Sequence, residues 1–252
     1  MQKRTIYQEA TAEMMGTLFI LLFGCGVNAM NTLFNLGGYV NIAFSWGIGV
    51  FLGILVSARI SGAHLNPAIT IALVLIKRFP PHKAPWYILG QMVGGFLGAA
   101  IVYFFYHAKF MQIDPTLAHT AAIFTTFPAM TGTFLPGFYA EIIATAILMF
   151  GVLSIIDHFA CSKAPYLSSF AIGLLIVGIG MAFGGMHGYA MNIARDLSPR
   201  IFISLVGFKN TGLTDGSGIW AASVFGSLIG AVVGAFLYEW MIHRKPSPQL
   251  EN

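Results

Sequence analysis

SGAHLNPA at residues 61–68 and GYAMNIARDLSPR at residues 188–200 are the two stretches that decide how this chain folds. Each holds an Asn-x-Ala triplet, Asn66-Pro67-Ala68 and Asn192-Ile193-Ala194, and the two lie 126 positions apart. Asn is a preferred helix N-cap and Pro is favoured at the first helical position, so each triplet predicts a helix start. The apolar stretches that follow, near 67–77 and 193–203, are too short for a bilayer whose crossing takes about 20 apolar residues. Their length predicts re-entrant half-helices. Non-helical backbone at membrane depth survives only where protein buries it or a watery cavity solvates it. Two half-spans therefore imply a polar pathway.

Working outward, apolar runs fall at roughly 10–33, 40–58, 86–107, 137–157, 166–185 and 219–241, each long enough to span. The surrounding positions repeat. Gly47 pairs with Gly173 and Gly62 with Gly188 at the same offset of 126, and Ala12-Glu13…Thr17 recurs as Ala140-Glu141…Thr145. Gly90, Gly94 and Gly98 recur as Gly226, Gly230 and Gly234. Four-residue glycine spacing allows close helix contact. Each half thus reads span, span, half-helix, span. An odd number of spans sends the second half in from the opposite side, so the repeat is inverted.

Composition agrees. Of 252 residues 57% are hydrophobic and 9% charged, with a mean hydropathy of +0.77. Soluble domains carry about a quarter of their residues as charges, so a water-soluble enzyme is excluded. The expected product is an all-α membrane protein of six transmembrane helices and two half-helices. It forms one channel domain over 1–252, with inverted repeats at about 5–107 and 137–243 joined by an extracellular loop at 108–136. The N-terminus shows no small-residue cleavage site after a short apolar run, so a cleaved signal peptide is not expected. Cys25 and Cys161 suggest neither a disulfide framework nor a metal site.

Loop cations set orientation. With the N-terminus inside, Lys3, Arg4, Arg59, Lys77, Arg78, Lys83, Lys163, Arg244 and Lys245 are cytoplasmic, against Lys109, Arg195, Arg200 and Lys209 outside. Both termini are therefore expected in the cytoplasm of a cell membrane, plasma or bacterial inner. Motifs for nucleotide binding or hydrolysis are absent, and neither an enzyme nor a nucleic-acid binder is expected.

The two loops resemble the signature loops of the aquaporin superfamily, specifically its glycerol-facilitator branch, and the resemblance runs over nearly the whole chain. It implies a passive channel for glycerol, other small neutral polyols and water, a homotetramer with one pore per subunit, and no cofactor. Two half-helix starts meeting at the midplane would bring their positive dipole ends together and turn the Asn66 and Asn192 amides into the pore. The family's pore-lining carbonyls carry over to Gly62, Ala63 and His64 and to Met186, His187, Gly188 and Tyr189. Its selectivity filter carries over to Trp46, Gly180, Tyr189 and Arg195. In that reading Trp46 and Tyr189 form an apolar corner, Arg195 bonds solute hydroxyls from the opposite side, and the small Gly180 leaves room for a polyol. Asp196 is the polyol-branch choice after the arginine.

Glu13 and Glu141 are ionisable groups inside apolar spans, which makes each a functional candidate. Placed once per repeat, they are expected to accept N–H groups from the re-entrant loops, the role the family also implies. As coupling carboxylates they would instead mark an ion-coupled transporter, the alternative from another class. A water-dominant channel with poor polyol flux is the alternative within the class. His64 and His187 border the pore loops as candidate pH-sensitive positions; His82, His107 and His119 are expected on loops. Ile193 departs from the family's second Pro, and Ser223 and Val224 stand where the polyol branch has Pro and Leu.

Overall fold

A computed structural model describes residues 4–130, 133–160 and 166–243. Lys3, Cys161, Lys163, Arg244 and Lys245, named above, lie outside the described residues. The described residues form eight α-helices: α1 (Ile6–Phe34), α2 (Tyr39–Ser61), α3 (Pro67–Leu75), α4 (Ala84–Ile113), α5 (Leu135–Phe159), α6 (Tyr166–Phe183), α7 (Ile193–Val206) and α8 (Trp220–His243). Five segments, those carrying α1, α2, α4, α5 and α8, are long and apolar enough to cross a membrane, and Leu167–Phe183 is a shorter apolar helix.

Local chemistry sets the ends. Thr5 and Gln8 close a reciprocal capping box on α1, and α2 stops at Gly62, which takes the left-handed conformation at φ 89°. Asn66 caps α3 by accepting from the Ala68 N–H, with Pro67 at the first position. Asn192 caps α7 in the same way, accepting from the N–H groups of Ala194 and Arg195. One boundary differs from expectation. Helix α4 continues to Ile113, six residues beyond the apolar run, so His107 and Lys109 are helical. Phe110, fully buried, anchors that extension through ring contacts to Phe124 and Phe208.

Packing relates the halves. Helix α1 packs on α2 and α4 as α5 packs on α6 and α8, while α4 meets α7 and α8 meets α3. Helices α2 and α6 cross where Gly47 faces Gly173. A Cβ on Gly47 would lie 2.6 Å from the Gly173 carbonyl oxygen, and one on Gly173 would lie 2.8 Å from that of Gly47. Reciprocal contacts of this kind are what a two-fold relation produces. The glycine rows seat on backbone: Gly90 and Gly94 lie against Ala10 and Met14 of α1, and Gly230 and Gly234 against Ile142 and Ala146 of α5.

A side chain at such a contact has no space. Gly94→Val is expected to cost about 1–3 kcal/mol by overpacking, because its Cβ would press on the Met14 backbone. Thermal unfolding in detergent should show a lowered midpoint relative to the native protein. An unchanged midpoint would mean the α1–α4 seam gives way freely.

Candidate functional site

The two loops converge on one cavity of about 600 Å³. Their backbones share an alternation. Gly62, Ala63 and Leu65 have φ of 89°, 57° and 52°, and Gly188, Tyr189 and Met191 have 83°, 42° and 50°. Each member of the first set maps onto the second at the 126-residue offset. A non-glycine residue held left-handed costs on the order of 1–3 kcal/mol, so something must hold these segments.

The buried carboxylates do so. Glu13 accepts the backbone N–H groups of His64 (3.0 Å) and Leu65 (2.7 Å), together with the Ser61 hydroxyl (2.5 Å) and the Gln91 amide (2.7 Å). Glu141 accepts those of Ala190 and Met191, both at 2.8 Å, and lies 3.1 Å from His187 Nδ1. The residue pairs 64/190 and 65/191 are again equivalent under the repeat.

The Asn amides also hold the two loops together. Asn66 Nδ2 donates to the Met191 carbonyl at 2.7 Å, and Asn192 Nδ2 donates to the Leu65 carbonyl at 2.8 Å. Each amide thus spends one of its two N–H groups clasping the opposite loop, because the half-helix starts lie close enough to bond each other directly. Both residues still line the cavity, each with a second N–H to offer.

The second strip of pore carbonyls shifts in part. Gly62, Ala63 and His64 border the cavity, and so does Tyr189 of the second loop, joined by Ala190 and Met191; Met186, His187 and Gly188 do not line it. Helix α6 overshoots as a turn, with the Gly184 N–H donating to the Gly180 carbonyl and the Gly188 N–H to that of Gly184. The Met186 carbonyl accepts from the Ala129 N–H at 3.0 Å. The Met186 carbonyl is thus used before the loop extends.

Opposite the loops the wall is apolar: Val50 and Ile54 from α2, Leu148 and Val152 from α5, and Ile172 and Ile176 from α6. Trp46, Tyr189 and Arg195 also line the cavity. Two expectations are corrected there. The Arg195 guanidinium does not stand across from Trp46 but stacks on its ring, 4.0 Å from the centroid, and its Nη1 lies 3.5 Å from the Phe124 carbonyl. Nor does Gly180 leave open space: a Cβ there would lie 2.9 Å from Tyr189 Cζ, so the tyrosine ring fills the vacancy. Both follow from the absence of side-chain bulk on α6 and the flat faces of two aromatic neighbours.

The model of the family described as "Major intrinsic protein" matches residues 1–238. The chain belongs to that family. This major intrinsic protein is 37% identical over 255 residues to the glycerol uptake facilitator protein of Escherichia coli strain K12, covering 96% of its own chain and 91% of the relative. It is 35% identical over 241 residues to an aquaporin of Laccaria bicolor, covering 94% and 92%. The X-ray structure of the aquaglyceroporin from Plasmodium falciparum superposes with a TM-score of 0.85 at 33% identity, covering 95% of this chain and 98% of that one. The fold is the aquaporin fold, and the protein is a multi-pass membrane channel and not an enzyme.

In this major intrinsic protein several site residues carried no signal in the sequence. Arg200, counted there as a loop cation, is a fully buried residue of α7. It donates from Nε to Asp196 Oδ2 (2.9 Å), from Nη1 to the Thr211 carbonyl (2.6 Å) and from Nη2 to the Thr126 carbonyl (2.5 Å). Asp196 also accepts from the Thr126 N–H (2.7 Å) and from the Ser223 hydroxyl (2.5 Å), and its Oδ1 lies 3.7 Å from Arg195. Serine in place of the branch's proline therefore supplies a hydrogen bond to the aspartate.

Through these contacts the connection after α4 is packed into the site. Its start is organised by Asp114, which accepts the N–H groups of Ala118, His119 and Thr120. Burial pushes that carboxyl up, but those N–H groups and the Thr120 hydroxyl outweigh it and hold it below the usual carboxylate range. The available signal was the unbroken apolar run Ala121-Ala122-Ile123-Phe124 in a connection too long for a simple turn. The two loop histidines separate. His64 lines the cavity and packs edge-on against Phe79 and tilted against Tyr87, whereas His187 is buried behind the second loop against Glu141.

Proposed function

We propose that this protein conducts glycerol, other small neutral polyols and water passively, and excludes ions and protons. The observation that carries this reading is the two-faced cavity. One edge is backbone of alternating left-handed residues and the other wall is aliphatic. Such a bore suits a solute with hydroxyls along one edge and carbon along the other. Pore acceptors would be the carbonyls of Ala63, His64, Tyr189 and Ala190, with donors from Asn66 and Asn192. Trp46, Gly180, Tyr189 and Arg195 form the selectivity filter, where the arginine offers donors to a hydroxyl and a barrier to cations.

Glu13 and Glu141 support passive flux, because their oxygens are occupied by loop N–H groups. The functional unit is a homotetramer with a pore in each subunit. Both termini face the cytoplasm. Arg195 and Arg200 are buried and drop out of the outer tally, which leaves Lys109 and Lys209 against Arg4, Arg59, Lys77, Arg78 and Lys83 among the described residues.

A water-dominant channel is the second reading, favoured by the Tyr189 ring over Gly180. Proteoliposomes in a glycerol gradient separate the readings. Glycerol uptake is expected to proceed at an unchanged rate after ionophores collapse the proton and sodium gradients. Loss of uptake on collapse would favour ion coupling, and rapid water flux with negligible glycerol flux would favour the water channel.

A further inference from the structure

Tyr39, the first residue of α2, has no part in the site described so far. Its hydroxyl donates to the Gly180 carbonyl at 2.8 Å, across 141 positions of sequence. That carbonyl also accepts the Gly184 N–H at 3.1 Å. Gly180 and Gly184, one helical turn apart, form a bare ledge at the end of α6. A Cβ on Gly180 would stand 2.9 Å from Tyr189 Cζ and 3.1 Å from its hydroxyl oxygen. A Cβ on Gly184 would run into the Tyr39 hydroxyl and come within 2.5 Å of Tyr189 Cδ1. The two tyrosines therefore share one ledge, Tyr39 half exposed at 47% and Tyr189 buried at 6%.

Among the described residues no hydrogen bond fixes the Tyr189 ring: its hydroxyl is buried and has no partner. Its backbone is left-handed at φ 42°, a conformation held from the far side by Glu141 through the next two N–H groups. Packing sets where the ring lies, and part of that packing is the Gly180–Gly184 ledge.

We infer that Tyr39 is a positioning residue for selectivity: by bonding Gly180 it fixes the ledge and confines the Tyr189 ring, and so sets the width of the filter. The inference rests on the channel reading above. Without the hydroxyl, the Tyr39 ring is free to swing toward solvent and Tyr189 gains room to tilt off the ledge. The mouth then widens for a polyol more than for water.

The test is stopped-flow permeability of proteoliposomes at matched protein content, read as the ratio of glycerol to water flux. Tyr39→Phe is expected to raise that ratio by about three- to tenfold, the range for loss of one hydrogen bond. Gly184→Ala, which pushes on both rings, should move the ratio in the same direction. In a Tyr189→Ala background, Tyr39→Phe should leave the ratio unmoved, since a residue that acts through another has no effect once that other is gone.

A loss of folded channel would lower both fluxes together and leave the ratio alone, so a merely structural role gives a different result. An unchanged ratio in Tyr39→Phe, while Arg195→Ala does shift it, would overturn this inference and leave the channel reading standing. The same fold-change with and without Tyr189 would also overturn it. A native protein that passes no glycerol would remove the channel reading and this inference with it.

Discussion

Arg200→Met is expected to yield little or no folded channel. The guanidinium is fully buried and bonds Asp196, the Thr126 carbonyl and the Thr211 carbonyl. Methionine keeps the apolar stem and removes the whole charge. Asp196, itself fully buried, would then keep its charge with Arg195 at 3.7 Å as the nearest cation. Breaking a buried pair from one side costs about 3–5 kcal/mol, against a total stability for folded proteins of about 5–15 kcal/mol. The measurement is yield and thermal unfolding of the detergent-purified protein. Arg200→Lys should recover little, because an ammonium cannot present three donors in the planar fork that this site uses. A variant with native yield and native unfolding temperature would mean the pair contributes nothing net. The position matters beyond stability, since Arg200 ties both connections, 114–134 and 207–219, to the helix that carries Arg195.

Glu141→Ala is expected to lower water and glycerol permeability together by more than tenfold at matched protein content. The carboxylate removes two costs at once. It satisfies the N–H groups of Ala190 and Met191, and each left unpaired in a buried place costs about 1–3 kcal/mol. It also holds Tyr189 and Met191 in left-handed backbone, at about 1–3 kcal/mol each. Without it the segment should relax toward ordinary dihedrals and carry its carbonyls out of line. Glu141→Gln keeps an acceptor oxygen and should retain part of the flux. The first repeat gives an internal comparison. Glu13 is additionally backed by Ser61 and Gln91, so Glu13→Ala exposes two further partners and should be at least as damaging. Stopped-flow light scattering on reconstituted vesicles reads all three variants. Native flux in Glu141→Ala would show that the loop conformation is held elsewhere.

What the sequence by itself determined is what local chemistry and periodicity encode. Asn66 and Asn192 announced two helix starts because an N-cap bonds residues two and three positions away, and both caps form. Hydropathy announced the long helices because each crosses the membrane on its own composition. The offset of 126 made Gly47 and Gly173, and the two loops, equivalent positions of a repeat; that the two glycines touch is known only from the packed helices. That offset maps the first pore strip, 62–64, onto 188–190, two of which border the cavity; the expectation at 186 and 187 followed the family pattern and missed the overshooting turn of α6.

Tertiary structure alone decided the fine shape of the filter. A glycine in sequence records that a side chain is missing, not what fills the space: at Gly180 it is the Tyr189 ring, brought by a loop nine residues on and held against α6. Arg195 could have faced Trp46 across a gap, yet it stacks on it, because the choice depends on where Phe124 and Asp196 sit. Arg200 reads as a surface cation until its partners at positions 126, 196 and 211 are folded around it. Tyr39 carries no signal in the sequence until α2 and α6 cross and its hydroxyl meets the Gly180 carbonyl. In each case the deciding contact joins segments whose separation in sequence carries no periodic signal, so only the packed helices bring the partners together.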